Sequence, residues 1–151
     1  MLLHEEGVLP FLHKVPHKKT GLCASIIHQK ERSLVAKLGA ALLFPTAFFE
    51  EQAKKLQSVK VVYGTGFFLS TNKEVIFALA HQALRNEQKF CLNLSSTFLI
   101  DDFQTEINTL LPFCDYVFGN EDEWTHFANK NKLLAEEGSN STEYFMEVLK
   151  Q

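Results

Sequence analysis

The sequence predicts an α/β fold in which parallel strands are joined by crossover helices. Three short apolar segments, at residues 60–69, 89–94 and 115–119, alternate with stretches of helical periodicity. Helices of about ten to fifteen residues are the usual connection between parallel strands. The apolar segments are continuous rather than alternating, which is typical of strands that are buried on both faces. These observations favour a sheet with helices on its two faces.

The composition is that of a folded domain. The chain has 151 residues, 46% of them hydrophobic and 22% charged, and it contains 14 phenylalanines. A domain of this length buries about 68–70% of its unfolded surface. The formal net charge is −3 at pH 7. Because nucleic-acid-binding domains usually carry a strongly basic face, this charge argues against nucleic acid as a partner.

The cysteines and the N-terminus indicate the compartment. Cys23, Cys91 and Cys114 are odd in number and lack C-x-x-C spacing, which favours reduced thiols over disulfides or a zinc site. No window approaches the roughly 18 apolar residues of a membrane span, and polar residues follow Met1-Leu2-Leu3 at once, unlike a signal peptide. We expect a cytoplasmic chain without a membrane partner, with the nucleus as an alternative location.

The N-terminal third predicts a β-hairpin followed by a helix. Residues 22–28 are short, apolar and β-branched, and residues 31–44 return as a second strand after a polar turn. Pro45 ends this pattern. Residues 46–57 then place apolar side chains at helical spacing, with acids early and lysines late, as a helix dipole favours.

The first core unit reads strand, loop, helix, strand. Residues 60–69 run from a buried-type strand into a glycine-containing loop, and residues 71–86 form a helix that Thr71 and Glu74 open as a capping box. Residues 89–94 form the next strand.

The second unit continues the alternation. Residues 102–112 have helical spacing and stop at Pro112, residues 115–119 form a strand, and residues 120–130 form a helix. A last helix is predicted over residues 142–151.

Ligands of open α/β sheets gather outside the carboxyl ends of the strands, which here precede residues 64–70, 93–98 and 119–123. Phe67 and Phe68 follow a strand, and two successive aromatic residues in extended backbone cannot both face the core. The outward ring either stacks on a base or plugs a hydrophobic gap.

Asn120 and Glu123 also have two interpretations. Their spacing fits a capping box, with the Asn120 side chain bonded to the backbone N–H of Glu123. A carboxylate at that helix end can equally hold the water shell of Mg²⁺. Arg32, near the hairpin turn, is either solvated or functional.

Five strings in order, TGLCASI, RSLVAKLGAA, GTGFFLS, LNLSSTF and FGNEDEW, resemble the central part of the adenosine kinases of the ribokinase-like (PfkB) carbohydrate and nucleoside kinase family. The similarity runs from Thr20 to Ala128 and more loosely through the final helix. It implies a three-layer α/β/α core with part of a small β lid, incomplete at both ends. Residues 1–19 would be an N-terminal segment of uncertain structure, 20–44 the lid hairpin region and 45–151 part of the α/β core.

The resemblance implies an ATP-dependent phosphorylation of the adenosine 5′-hydroxyl to AMP, with ATP as co-substrate and Mg²⁺ as cofactor. It implies that Cys23, Leu34 and Ala36 line the nucleoside pocket. Phe67 would stack on the adenine, and Phe98 would close the pocket from another strand end.

The resemblance also assigns the phosphate side of the site. Arg32 matches a lid arginine that approaches the transferred phosphate, where a planar guanidinium suits phosphoryl oxygens. Asn120 and Glu123 match an N-x-x-E motif that handles metal through water. Two positions depart from the family pattern: Lys37 stands where an asparagine is usual, and Thr97 where a proline is usual.

Two parts of the family pattern have no counterpart in the 151 residues, namely a glycine-rich ribose-binding segment and the D-x-x-G-A-G-D signature with the catalytic aspartate. A positioned general base contributes about 10²–10⁴-fold. We therefore expect little or no kinase activity from this chain alone, and self-association through uncovered sheet edges. The alternatives are a non-catalytic interaction module and another ribokinase-like sugar kinase, although Phe67 and Phe98 suit a base better than a sugar.

Overall fold

The computed structural model describes residues 5–133. Its strands are β1 (Leu22–His28), β2 (Glu31–Lys37), β3 (Val61–Thr65), β4 (Lys89–Asn93) and β5 (Tyr116–Phe118). Its helices are α1 (Thr46–Ala53), α2 (Phe67–Arg85), α3 (Thr97–Asp102), α4 (Gln104–Leu110) and α5 (Glu121–Lys130), with short 3₁₀ turns at Gly39–Leu43, Lys54–Leu56 and Leu111–Phe113. The helix predicted over residues 142–151 lies outside the described residues.

The described strands form a hairpin and a parallel sheet. β1 and β2 pair antiparallel, with Leu22 opposite Lys37 and His28 opposite Glu31. β3, β4 and β5 are parallel and lie side by side in that order. The predicted hairpin and the predicted parallel α/β core are confirmed, although the second hairpin strand ends at Lys37 and the rest of its predicted range contains a 3₁₀ turn at Gly39–Leu43.

The core lies between one face of the parallel sheet and the helices. Val62, Phe90 and Leu92 project from the same face because Val62 is in register with Phe90 and strand side chains alternate. Side chains of α2 to α5 pack on this face, and each fully buried Leu, Ile or Phe contributes about 1.5–3 kcal/mol. The helical members of this core are Leu69, Ile76, Ala80, Ala83, Ile100, Ile107, Leu110 and Phe127.

The other face of the sheet is largely exposed in the described part of the chain. We call it the open face, formed by Val61 and Tyr63 of β3 and by Tyr116 and Phe118 of β5, whose exposed fractions are 56%, 53%, 59% and 48%. The Tyr63 and Phe118 rings approach to 6.1 Å between centroids, and Cys91 of β4 is 5% exposed. The expectation that β3 and β5 are buried on both faces is therefore wrong for residues 5–133.

Helix α2 begins earlier than predicted and contains a kink. Asn72 has non-helical dihedral angles of φ −157° and ψ 91°, and its Oδ1 accepts a hydrogen bond from the Val75 N–H at 3.3 Å. The predicted cap at Thr71 is therefore wrong by one residue. The preceding segment, expected as a loop, is helical from Phe67 onward, and α2 consequently starts two residues after β3 ends.

The chain after the hairpin is fixed to this kink. Asn72 Nδ2 donates to the carbonyl of Phe44 at 3.0 Å and to Oγ1 of Thr46 at 3.1 Å. The Phe44 ring meets the Phe68 ring edge to face, with centroids 5.3 Å apart. The base of the hairpin region is thereby tied to the end of α2 that carries Phe67.

Candidate functional site

The candidate site lies at the carboxyl edge of the parallel sheet. Thr65, Asn93 and Phe118 are in register across the three strands, so the strands end at the same level. Beyond this level the Gly66 N–H donates to the Asn93 carbonyl at 2.7 Å, and the Leu94 N–H donates to the Phe118 carbonyl at 2.8 Å. The three segments predicted to surround a ligand therefore do lie side by side.

Two of these segments present aromatic rings to each other. Phe67 opens α2 and Phe98 lies in the first turn of α3, and their ring centroids are 6.2 Å apart at 52°. This separation is within the usual 4.5–7 Å of an aromatic pair. Phe67 is 45% exposed and Phe98 51% exposed, whereas Phe68 packs against the core. The prediction that one of the two successive rings faces outward is confirmed, although the backbone there is helical.

The third segment forms the predicted capping box. Asn120 Oδ1 accepts from the Glu123 N–H at 2.8 Å, and Glu123 Oε2 accepts from the Asn120 N–H at 3.1 Å. Asn120 Nδ2 also donates to Glu123 Oε1 at 3.2 Å. Glu123 is 8% exposed, and these bonds satisfy a buried carboxylate that would otherwise be costly.

The charge at this helix end suits a hydrated cation better than a bare anion. The first turn of α5 carries Glu121, Asp122 and Glu123, which offset the positive end of the helix dipole. Within residues 5–133 no three His, Cys, Asp or Glu side chains are grouped to hold a metal ion directly. Each Glu123 oxygen accepts one hydrogen bond from Asn120 and keeps a second lone pair, so the carboxylate fits contact with Mg²⁺ through water rather than a closed metal cage.

The hairpin collects four of the candidate residues on one side. Cys23 is opposite Ala36 and Ser25 is opposite Leu34 in the strand register, and Arg32, Leu34 and Ala36 alternate along β2. Because side chains two apart share a face, Cys23, Arg32, Leu34 and Ala36 lie on the same face of the hairpin. Lys37 lies on the opposite face, so its charge is directed away from these four residues.

The hairpin side chains are exposed to solvent along both strands. Every residue of β1 and β2 is exposed, with Leu34 at 57%. Arg32, expected near the turn, is the second residue of β2 and is opposite Ile27. The structure thus forms three groups, the hairpin face, the Phe67–Phe98 pair and the Asn120–Glu123 cap, and the hairpin side chains remain open to solvent.

Sequence reasoning gave no individual role to Asn93 or Ser95 in the turn after β4. The Ser95 hydroxyl accepts from the Gly66 N–H at 3.0 Å, and Asn93 Oδ1 accepts from the Ser95 N–H at 2.7 Å. Both residues lie within the LNLSSTF string, and its polar residues were the only indication in the sequence of their role.

Among the described helices none has the length and apolar run needed to cross a membrane.

The sequence matches one known family over its whole length. The profile described as pfkB family carbohydrate kinase covers residues 1–151. Adenosine kinase of Dictyostelium discoideum is 40% identical over 106 residues, which are 69% of this chain and 31% of that protein. Adenosine kinase 1 of Arabidopsis thaliana is 34% identical over 124 residues, 81% of this chain and 36% of that protein. The chain spans about a third of the length of these curated relatives.

Solved structures show the same fold. Apo adenosine kinase of Trypanosoma brucei brucei superposes with a TM-score of 0.81 at 26% identity, covering 95% of this chain and 43% of that one. Schistosoma mansoni adenosine kinase in complex with 2-fluoroadenosine gives a TM-score of 0.76 at 30% identity, covering 86% and 37% of the two chains. The resemblance inferred from the sequence strings and the ribokinase-like fold that it implies are confirmed.

Proposed function

The chain belongs to the pfkB family of carbohydrate kinases, and on that premise we propose that it forms the nucleoside-binding part of an ATP-dependent adenosine kinase. The observation that carries the proposal is the half-exposed Phe67–Phe98 pair, 6.2 Å between centroids, at the carboxyl edge of the sheet. A purine stacked on such a ring gains about 1–3 kcal/mol, by analogy with nucleic-acid sites. A sugar without a base would leave both rings uncovered.

The hairpin supplies the second wall of the proposed site. Its face with Cys23, Leu34 and Ala36 is small and apolar, which suits contact with a nucleoside, and the four-residue alignment follows from the strand register. The hydrogen bond from Asn72 to the Phe44 carbonyl holds the base of the hairpin region beside Phe67. It does not involve β1 or β2 themselves. Closure of this face over the rings would exclude water from the bound nucleoside.

The remaining residues act on the phosphate side of the proposal. Arg32 shares the hairpin face, so closure over the nucleoside would bring its guanidinium toward the transferred phosphoryl group, whose oxygens it can meet with two parallel hydrogen bonds. Asn120 and Glu123 would hold water of a Mg²⁺ ion bound to ATP. When bound, Mg²⁺ neutralises charge on the phosphate oxygens.

The proposal assigns binding to this chain, and not the proton transfer. Removing the proton from the 5′-hydroxyl requires a positioned base. The family signature that carries this base, D-x-x-G-A-G-D, does not occur in the 151 residues. We therefore expect adenosine binding without appreciable phosphorylation in an assay of this chain with adenosine and Mg·ATP.

Calorimetric titration of the full 151-residue chain with adenosine tests the proposal. We expect saturable binding that Phe67→Ala and Phe98→Ala each weaken by about 5- to 150-fold, the equivalent of 1–3 kcal/mol. Phe118→Ala is the matched control, since Phe118 is 48% exposed but lies on the open face. Equal losses in all three variants, or binding of ribose without adenosine, would contradict the proposed site.

A thiol footprint tests the hairpin contribution separately. Cys23 is exposed, whereas burial raises the pKa of Cys91 and raises the pKa of Cys114 to about 12. Because the thiolate is the reactive form, iodoacetamide at pH 8 should modify Cys23 well before the other two. Adenosine should slow modification at Cys23. Unchanged modification at saturating adenosine would remove Cys23 from the nucleoside pocket.

A further inference from the structure

The turn between β4 and α3 contains a residue in an uncommon conformation. Ser95 has φ of 66°, in the left-handed region that side-chain-bearing residues seldom adopt. Asn93 Oδ1 accepts from the Ser95 N–H at 2.7 Å and faces the Ser95 hydroxyl at 3.1 Å. A short polar side chain two residues earlier thus holds the serine in this conformation, as in an Asx turn.

The Ser95 hydroxyl connects this turn to a different element. It accepts the Gly66 N–H at 3.0 Å while its own proton can point to Asn93. The same Gly66 N–H donates to the Asn93 carbonyl at 2.7 Å, so one backbone N–H is shared by two acceptors. Gly66 comes immediately before Phe67, and Ser95 comes three residues before Phe98.

The two backbones are in direct contact at this point. A Cβ atom on Gly66 would lie 2.7 Å from the Leu94 carbonyl oxygen and 2.8 Å from the Asn93 carbonyl oxygen. With so little space, a shift of the β4 turn moves the start of α2. The position of one aromatic ring therefore depends on the position of the other through Gly66 and Ser95.

We propose that Ser95 is a positioning residue for nucleoside binding, whose hydroxyl sets the separation of Phe67 and Phe98. This inference rests on the proposed adenosine site and extends it to a residue outside the Phe67–Phe98 pair. The hydroxyl acts through the Gly66 N–H and not on the ligand.

Two substitutions separate the hydroxyl from the backbone conformation. Ser95→Ala removes the hydroxyl and keeps a side chain at positive φ, whereas Ser95→Gly removes the hydroxyl and tolerates positive φ without strain. Ser96→Ala is the control, because Ser96 precedes α3 without a side-chain capping bond. We expect both Ser95 variants, but not the control, to weaken adenosine binding by about two- to tenfold, the net value of one hydrogen bond. Full affinity in Ser95→Gly would overturn the proposal.

A double-mutant cycle shows whether Ser95 acts through the ring. In a Phe67→Ala background, Ser95→Ala should cause no further loss of adenosine affinity. An undiminished loss in that background would show that Ser95 affects binding independently of Phe67, and would overturn the proposal.

A spectroscopic measurement decides the inference even without adenosine binding. In the wild-type chain with labelled phenylalanine, the Phe67 and Phe98 rings should give a nuclear Overhauser contact, and the Gly66 amide should exchange slowly. In Ser95→Ala the ring contact should weaken and the Gly66 amide should exchange faster. In Ser96→Ala both should match the wild type. If the wild type does not bind adenosine, the proposed function fails, while an unchanged ring contact in Ser95→Ala refutes the role of Ser95 alone.

Discussion

Gly66, just after β3, lies so close to the backbone at the end of β4 that no larger residue fits. The groups that would meet a new Cβ are backbone carbonyls of Asn93 and Leu94, at 2.8 and 2.7 Å, and they cannot rotate away as a side chain can. At this position glycine is required by space, because its φ of −58° is open to any residue.

Gly66→Ala should therefore destabilise the chain by about 1–3 kcal/mol, the usual cost of forced overpacking, and should also weaken adenosine binding. Denaturant unfolding measures the first effect. Gly64→Ala is the comparison, since its methyl would meet the Ile76 side chain at 3.1 Å instead of backbone. Equal losses of adenosine affinity in both variants would show that the close backbone contact at Gly66 does not determine the geometry of the adenosine site.

Single residues differ in how far the sequence alone could predict them. An outward ring at Phe67 or Phe68 was predictable because two successive aromatic residues cannot both face the core, whereas Phe98 was suggested only by the family resemblance. Ser95 was not predictable, because a serine at positive φ has no local sequence signature and depends on Asn93 and Gly66 across the turn. Asn72 replaced Thr71 as the cap because its amide also bonds to Phe44.

At the scale of elements, helix α5 allows the two interpretations of the Asn120–Glu123 motif to be separated. Asn120→Ala removes the acceptor of the Glu123 N–H, and we expect a loss of about 1 kcal/mol in the free energy of unfolding. Glu123→Gln keeps a capping-box side chain but removes the charge. It should lower stability modestly, because a glutamine amide nitrogen cannot accept the Asn120 Nδ2 bond and the charge that offsets the helix dipole is lost, and it should abolish any Mg²⁺-dependent change in Trp124 fluorescence.

Those two variants should be compared by thermal unfolding and by magnesium titration of the full chain with ATP present. A Glu123→Gln variant that responds to Mg²⁺ like the wild type would leave the motif as a helix cap only.

The stability of the fold depends on pH through Asp115, which is bonded to the start of β4. A hydrogen bond from the Lys89 ammonium, and next one from the Phe90 N–H, hold the pKa of the Asp115 carboxyl below its ordinary value. A carboxyl with a lowered folded pKa stabilises the fold above its unfolded pKa of about 3.9, and this contribution is lost as the pH falls through the folded pKa.

Asp115→Asn should consequently be less stable than the wild type at pH 7, and the difference should shrink as the pH falls below about 4. Urea unfolding at a series of pH values measures both curves. Asp122→Asn is a control, because Asp122 is exposed in the first turn of α5. A difference for Asp115→Asn that stays constant between pH 7 and pH 3 would contradict the assignment.

Most elements were predictable because their signals are local. Hairpin, strands and the α5 cap follow from apolar runs, a polar turn and an N-x-x-E spacing. The first turn of α2 and the short α3 were not predicted, since Phe67–Thr71 contains two β-type aromatics and Thr97–Asp102 is only 6 residues long.

For the molecule as a whole, the open face is the main source of expected association. Val61, Tyr63, Tyr116 and Phe118 expose roughly half of each side chain next to one another, and clustered apolar surface of this kind favours protein contacts. Sequence reasoning predicted self-association from uncovered sheet edges, and the exposed sheet face adds a second physical reason for that prediction.

We expect the wild-type chain to associate increasingly with concentration in sedimentation equilibrium, and Tyr63→Lys to shift the balance toward monomer. A charge on the open face must be dehydrated on association, which is costly. Leu84→Lys is the matched control, because Leu84 is a singly exposed residue, 66%, on α2. A monomer at all concentrations, or equal effects of the two lysines, would refute association through this face.

The overall architecture was predictable while the exposure of the sheet was not. Alternating strands and helices determine a parallel core. A continuous apolar run such as residues 61–63 shows only that both sides of a strand are apolar, and not which segment covers each side.

The hairpin has a further consequence for how this family can vary. Cys23, Arg32, Leu34 and Ala36 share a face because of the parity of their positions relative to the turn at Gln29 and Lys30. Inserting one residue into β2 beyond Arg32 would keep the arginine in place and exchange Leu34 and Ala36 for Ser33 and Val35. Insertions of two residues preserve the parity. We therefore expect insertions or deletions in this strand among family members to involve an even number of residues. An odd number should accompany a change of substrate.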